Sequence, residues 1–423
     1  HVLFRNSIIY IISKLLNSGI PFLLLPILTR YLTPAEYGMV ATYEIVFAIM
    51  VILVSLNSDR AVVVKYFKLD KAQLKTFIGN TFIIAFGSFL VFFIFTLLTK
   101  NILSHYLKIP ANWIISIPII SLSFFVIRLT LSLWEMKEKP IQFGIFQTAL
   151  TVFNLGLSIY LVTVLNITWK GRLLGIIFSY LFFSLLGTYE LIRKKVIQIK
   201  FDKAHFQSII NFGLPLIPHT LAAWVFFATD RIFINTMIGV DITGIYTVGY
   251  QIGALLAILM SAFNQAWVPF VYRKLKDATF KTKSRIVQFT YLGFVLIFLM
   301  AVFINYISPW ILKIFVDEAF YSANDFVFWI LLGSIARGMY FLVVAYIFYT
   351  EKTYIMTYVT SFYALLNIIL NYFFIKANGA IGAAQATALV LFLNFVTIWI
   401  MSMKVYDMPW FTFLGTKGAN EQQ

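Results

Sequence analysis

Six charged side chains lie well inside the long apolar runs of this chain, away from the run ends, and they are the residues best suited to chemistry. A charge at that depth is costly, so such groups normally face a polar cavity or one another and mark the path of a substrate or ion. Four are cations and two are anions: Lys14, Arg128, Arg231 and Arg337 against Glu44 and Asp230. The excess of cations predicts a cavity that favours an anionic ligand.

Arg337 has the strongest case for a substrate role. It lies near the middle of an apolar run, too deep to snorkel easily to the membrane surface. Gly333, Ser334 and Gly338 flank it, which predicts room for a large ligand and makes Ser334 a candidate lining residue. A bridge between helices is the structural alternative.

Lys14 and Arg128 lie nearer the ends of their runs. Lys14 shares a helical face with Asn17, which predicts a polar stripe along a cavity. The guanidinium fork of Arg128 suits bidentate contact with a phosphate. For both cations, snorkelling to the membrane surface is the structural alternative.

Asp230 and Arg231 are sequence neighbours and therefore point about 100° apart on a helix, which predicts a different partner for each. Burial penalises the charged form of a carboxylate, so Glu44 and Asp230 are candidates to carry a coupling H⁺ or Na⁺. Either could equally be a counter-ion, to Lys14 or to Arg231.

The run that holds Asp230 also contains two prolines, which free backbone carbonyls and are tolerated where a helix lines a cavity. His219 lies on the face of Pro215, and Trp224 lies mid-span, whereas the other tryptophans lie mostly near span ends. Both are candidate cavity-lining residues. For His219, an ordinary hydrogen-bonded histidine is the alternative.

The composition predicts an integral membrane protein: 61% of the 423 residues are hydrophobic, 12% are charged, and the mean hydropathy is +0.87. The absence of cysteine excludes disulfides and thiol catalysis, and four scattered histidines form no metal motif. A phosphate-binding P-loop motif is also absent. We therefore expect no catalytic residue, metal or cofactor beyond a coupling ion. The net charge of +16 does not indicate nucleic acid, because the basic residues lie mostly between spans.

Twelve apolar runs are long enough to cross a bilayer as helices. They predict an all-α polytopic protein. The runs are 8–28, 39–56, 78–98, 113–134, 145–165, 173–192, 214–238, 245–268, 286–307, 326–349, 355–374 and 381–401.

The second half of the chain repeats features of the first. Ser7-Ile8-Ile9 matches Ser208-Ile209-Ile210, a proline pair follows in both halves, and each segment ends at a glycine, Gly38 and Gly244, that opens the next span. This repeat predicts an N-terminal lobe (1–192), a linker (193–207), a C-terminal lobe (208–403) and a tail (404–423). Because six spans is an even number, the two lobes share one orientation, and their pseudo-two-fold axis lies along the membrane normal.

Lysine and arginine predict the orientation. The N-terminus, the even-numbered loops and the tail hold 22 of them, and the opposite loops hold 7. By the positive-inside rule both termini are cytoplasmic. The basic linker would also contact anionic lipid head groups.

The chain resembles the Wzx-type polysaccharide flippases of the multidrug/oligosaccharidyl-lipid/polysaccharide exporter superfamily. The resemblance rests on FGLPLIP (212–218), on Asp230-Arg231, on Gly-x-Tyr (244–246), and on P-x-L-T-R-Y-L-T-P-A-E-Y-G (26–38). It implies a transporter in the bacterial inner membrane that flips an undecaprenyl-pyrophosphate-linked glycan, such as an O-antigen unit of lipopolysaccharide, by alternating access. A polysaccharide polymerase and a chain-length regulator are the partners that it implies.

Three rival functions remain open. A multidrug extruder of the same superfamily binds cationic amphiphiles and should have an acidic cavity. A membrane enzyme of polysaccharide assembly should have a long loop with clustered carboxylates or arginines, but the longest external loop holds only Asp317, Glu318 and Asp325. A non-transporting scaffold would not need central arginines.

Overall fold

The computed structural model describes residues 22–276, 278–350, 352 and 354–411, without the side chains of residues 219, 223, 227, 262 and 266. This part of the chain is helical and contains no strand, which confirms the all-α prediction. The α-helices are α1 (Phe22–Tyr31), α2 (Pro34–Ser55), α3 (Ser58–Lys65), α4 (Lys71–Leu107), α5 (Ala111–Ile114), α6 (Ser116–Met136), α7 (Pro140–Ile159), α8 (Thr168–Arg193), α9 (Lys203–Met237), α10 (Val240–Leu275), α11 (Phe280–Phe315), α12 (Asn324–Val343), α13 (Ala345–Tyr349), α14 (Tyr354–Asn378) and α15 (Ala380–Val405). A π-helical turn, Tyr160–Val164, follows α7, and a 3₁₀ segment, Glu318–Ala323, precedes α12.

Eleven helical segments in the described part are long and apolar enough to cross a membrane. Each coincides with one predicted run, and α1 contains the end of the first run, whose residues 8–21 lie outside the described ones. Eleven of the twelve predicted spans are therefore confirmed. The helices extend beyond the apolar runs: α4 has 37 residues, about 56 Å, against a hydrocarbon core of about 30 Å.

Polar residues next to the runs account for this extra length. The Asp70 carboxylate accepts hydrogen bonds from the N–H groups of Ala72 and Gln73, so α4 begins seven residues before its apolar stretch. Asp202 caps α9 in the same way by accepting from the N–H of His205, and this bond holds the pKa of Asp202 below its usual range.

The described residues form two compact units. One runs to Thr247 and includes Phe315–Phe320; the other comprises Val248–Ile314 and the chain from Tyr321 onward. The predicted lobe boundary at 193–207 follows the sequence repeat and stays a prediction. In the first unit the segment after α8 lies along α4, where the Asn80 amide donates to the carbonyl of Lys200 and accepts from the N–H of Asp202.

Within the first unit, α2 and α10 cross at two glycines. Gly38 is the fifth residue of α2 and Gly244 the fifth of α10. A Cβ on Gly38 would lie 1.9 Å from the carbonyl oxygen of Val240, and a Cβ on Gly244 would lie 2.0 Å from that of Pro34. The first residue of each helix thus packs on the fifth residue of the other, which only glycine permits at this distance.

The same unit has a close contact at the other end of α2. Leu56 and Asn57 both adopt left-handed backbone conformations, with φ of 46° and 53°, and separate α2 from α3. A Cβ on Gly213 of α9 would lie 2.0 Å from the carbonyl oxygen of Leu56. The motif FGLPLIP therefore contains a glycine that lets α9 pack directly on this turn.

In the second unit, α15 packs against both α12 and α14. One buried amide connects α14 to α15, because the Asn367 amide donates to the hydroxyl of Thr387 at 3.2 Å. Within α14 the buried Asn371 amide donates to the carbonyl of Asn367 at 2.9 Å. These bonds satisfy polar groups inside apolar helices and fix how the two helices pair.

Candidate functional site

Glu44 lies in the middle of α2, where it forms an ion pair with Arg172 of α8. The guanidinium Nη2 donates to Glu44 Oε1 at 2.9 Å. Sequence reasoning missed this partner, because it assigned Arg172 to an external loop. In the structure Arg172 is the fifth residue of α8, and its long side chain reaches the carboxylate.

Two further side chains hold the same arginine. Its Nη1 donates to Asn154 Oδ1 at 2.6 Å and to Ser158 Oγ at 3.0 Å, both on α7. Tyr180 lies within electrostatic range of both charged groups and stacks on Phe47, with ring centroids 5.4 Å apart. The cluster therefore joins α2, α7 and α8 around one shielded cation; its side chain is 13% exposed, whereas that of Glu44 is 46% exposed.

Arg128 of α6 forms a second ion pair, with Nη2 2.6 Å from Oδ2 of Asp59 in α3. Asp59 is buried, and sequence reasoning missed it because it follows the second apolar run in a stretch expected to be a loop. Its position directly before Arg60, just past the end of the second apolar run, was the available sequence signal. Arg128 thus has a structural partner in addition to any role toward a ligand.

The charged groups of Asp230 and Arg231 on α9 lie close together. The Arg231 Nε is 3.7 Å from Asp230 Oδ1, because a long arginine side chain can fold back across the 100° that separates neighbouring positions. Asp230 also has a second partner, since the Tyr246 hydroxyl of α10 donates to its Oδ2 at 2.6 Å. The carboxylate is buried, and it connects α9 to α10.

Arg337 lies in the second unit, in α12, among aromatic side chains. Its guanidinium carbon is 5.7 Å from the ring centroid of Phe341, and Tyr250 and Tyr340 are electrostatic neighbours. Aromatic faces and phenol oxygens can stabilise a guanidinium without neutralising it. The Arg337 guanidinium therefore lies against aromatic side chains inside the second unit.

The expectation that small residues leave room beside Arg337 is wrong. A Cβ on Gly333 would lie 3.1 Å from Leu391 of α15, and one on Gly338 would lie 3.0 Å from Met260 of α10. These glycines allow close helix packing. Ser334 is buried and donates to the carbonyl of Gly253 at 3.1 Å, so its hydroxyl joins α12 to α10.

The remaining predicted residues are only partly described. Trp224 is half-buried on α9. Lys14, Asn17 and the side chain of His219 lie outside the described residues. Their roles stay predictions.

The two missed residues add one cation, Arg172, and one anion, Asp59, to the predicted set of charges. The predicted excess of cations therefore stays the same in number, with Lys14 outside the described residues. What the structure adds is the pairing: Arg128, Arg172 and Arg231 each lie within 3.7 Å of a carboxylate.

The second unit also contains a cavity of about 590 Å³ among α11, α12, α14 and α15. Its walls are almost entirely apolar, with Phe298, Trp329, Phe374 and Phe392 among them and Gln385 as the polar exception. Arg337 does not line it. This cavity is therefore not the cationic site that the sequence predicts.

The all-α architecture and the helices long and apolar enough to cross a membrane define a multi-pass membrane protein. The profile of the family described as polysaccharide biosynthesis protein matches residues 3–275, and that of the MatE family matches residues 215–373. The chain belongs to the polysaccharide biosynthesis protein family, and within it the predicted relation to Wzx-type flippases and their superfamily is confirmed. It is a transporter and not an enzyme.

Relatives and solved structures agree with this assignment. A protein of the Lsg locus of Haemophilus influenzae is 27% identical over 414 residues, covering 92% of this chain and 98% of that protein. An inward-facing multidrug resistance MATE family transporter of the MOP superfamily has the same fold, with a TM-score of 0.77 at 12% identity, over 95% of this chain and 96% of that one. The lipid II flippase MurJ, in an inward closed conformation, gives 0.70 at 14% identity, over 97% and 95%.

Proposed function

We propose that the protein flips an undecaprenyl-pyrophosphate-linked oligosaccharide, of the O-antigen type, across the bacterial inner membrane by alternating access. Arg337 is the observation that carries the proposal. It keeps a positive charge deep in an apolar helix, among aromatic rings. A diphosphate presents several acceptor oxygens, and the guanidinium fork suits them. The flipped lipid would then be available to a polymerase and a chain-length regulator.

Arg337 variants test this function. We expect Arg337→Ala to abolish surface polysaccharide while the protein inserts into the membrane at normal levels. Arg337→Lys keeps the charge without the fork and should retain part of the export. Arg337→Glu should be inactive, because it repels the diphosphate. Export and membrane level are measured together; normal export per molecule in Arg337→Ala would exclude Arg337 from the substrate site.

Ion coupling is a further part of the proposal. Of the two predicted carboxylates we choose Asp230, because it is buried, accepts a hydrogen bond from Tyr246 and lies 3.7 Å from the Arg231 guanidinium, whereas Glu44 is exposed and pairs more closely with Arg172, at 2.9 Å. The coupling ion would be H⁺ or Na⁺.

A second candidate function is multidrug extrusion, which the MatE match over residues 215–373 favours. The two functions need cavities of opposite charge: a cationic one for the diphosphate and an acidic one for cationic drugs. Uptake of a cationic dye by inverted membrane vesicles distinguishes them: we expect no dye transport above that of vesicles lacking the protein.

A further inference from the structure

The carboxylate of Glu44 is unusually exposed for its depth. Glu44 is the eleventh residue of the 22-residue α2, about 15 Å along the helix, yet 46% of its side chain is exposed. Lipid cannot solvate an exposed carboxylate at that depth. The exposed side of Glu44 must therefore face water or a polar ligand.

Arg172 sets the electrostatic character of this position. It is shielded, and it donates to Glu44, Asn154 and Ser158, so it fixes the carboxylate in place and offsets its charge. A neutral pair does not attract a diphosphate. The exposed carboxylate can only accept hydrogen bonds, which suits a ligand that carries many hydroxyl donors.

The surroundings of the pair resemble a small-molecule site more than a purely structural bridge. An aromatic wall lies beside it: Tyr180 stacks on Phe47, and its ring centroid is 5.1 Å from that of Phe124. Ligand sites typically combine aromatic walls with a few fixed polar groups.

We propose that Glu44, positioned by Arg172, binds a sugar of the glycan through its hydroxyl groups. This inference rests on the proposed function. Glu44 is the ligand-contacting residue. Arg172 is a positioning residue.

Binding of two lipids to the full-length protein in nanodiscs tests the inference. One probe is undecaprenyl diphosphate without sugar; the other is the lipid-linked oligosaccharide extracted from cells that lack this protein. We expect Glu44→Ala to weaken binding of the glycosylated lipid about tenfold, the loss expected for a charge-assisted hydrogen bond, with no change for the bare lipid. Arg337→Ala should weaken both lipids.

Two further variants control for folding. Glu44→Gln keeps an acceptor oxygen beside Arg172 and should fall between the wild type and Glu44→Ala. Asp70→Ala removes a helix cap in the same unit and should lower the melting temperature without changing the ratio of the two affinities.

Each outcome bears on a different claim. If the wild type binds neither lipid, the proposed function fails, and the inference fails with it. If it binds both and Glu44→Ala changes neither, or weakens both equally, the sugar subsite alone is overturned.

Discussion

At the scale of single residues, the structure differs from sequence reasoning mainly in the partners of the charges. The positions of Glu44, Arg128 and Asp230 inside membrane-spanning helices could be predicted from the apolar runs. Their partners could not, because Arg172 and Asp59 are brought to them by helix packing, and both lay outside the predicted cores of the spans. Periodicity along one helix carries no information about the neighbouring helix.

Variants of Asp230 and Tyr246 distinguish a role in ion coupling from a role in protein stability. Asp230→Asn should abolish the dependence of lipid flipping on an imposed H⁺ or Na⁺ gradient in proteoliposomes, because an amide cannot carry the ion. Tyr246→Phe leaves the carboxylate in place but removes one hydrogen bond to it. That variant should lose about 1–3 kcal/mol of stability and keep its gradient dependence. Unchanged gradient dependence in Asp230→Asn would remove Asp230 from the coupling mechanism.

At the scale of helices, the apolar runs predicted where spans lie but not how far they extend. The cap at Asp70 and the left-handed turn at Leu56 and Asn57 set the ends of α4 and α2. The glycines around Arg337 show a related limit. Gly333 and Gly338 could indicate either ligand space or close packing, and only the neighbouring helices decide between them.

The crossing of α2 and α10 gives a prediction at the same scale. Gly38→Ala should destabilise the protein by about 1–3 kcal/mol, because the added methyl group would overlap the carbonyl of Val240 unless the helices separate. The melting temperature in detergent measures this. Gly244→Ala should have a similar effect, and the double variant should lose less than the sum, because either methyl group already widens the crossing.

Gly87 is the matched control for this crossing. It lies inside α4, and a Cβ there meets no atom within 4 Å. Gly87→Ala should therefore be neutral, or stabilising by up to about 1 kcal/mol through helix propensity. An equal loss in Gly87→Ala and Gly38→Ala would show that the crossing is not the cause.

At the scale of the whole molecule, composition and the twelve runs were sufficient to predict the fold class, because crossing a bilayer requires long apolar helices.

The orientation of the termini is still predicted only from the charge of the loops. Reporter fusions after Arg193 and Lys352 should read cytoplasmic, and fusions after Lys100 and Lys313 should read external. An external signal after Arg193 would mean that the two lobes differ in orientation, and a two-fold axis along the membrane normal would then be impossible.

The contact between Gly38 and Gly244 has the form of a symmetric dimer interface. Gly38 packs on the carbonyl of Val240, and Gly244 packs on the carbonyl of Pro34. The same pair of positions thus makes the same contact from both sides, as in an isologous interface between identical subunits. Here both copies belong to one chain. An ancestral half-length protein could have paired with itself through this glycine, and gene fusion would then have made the partnership permanent.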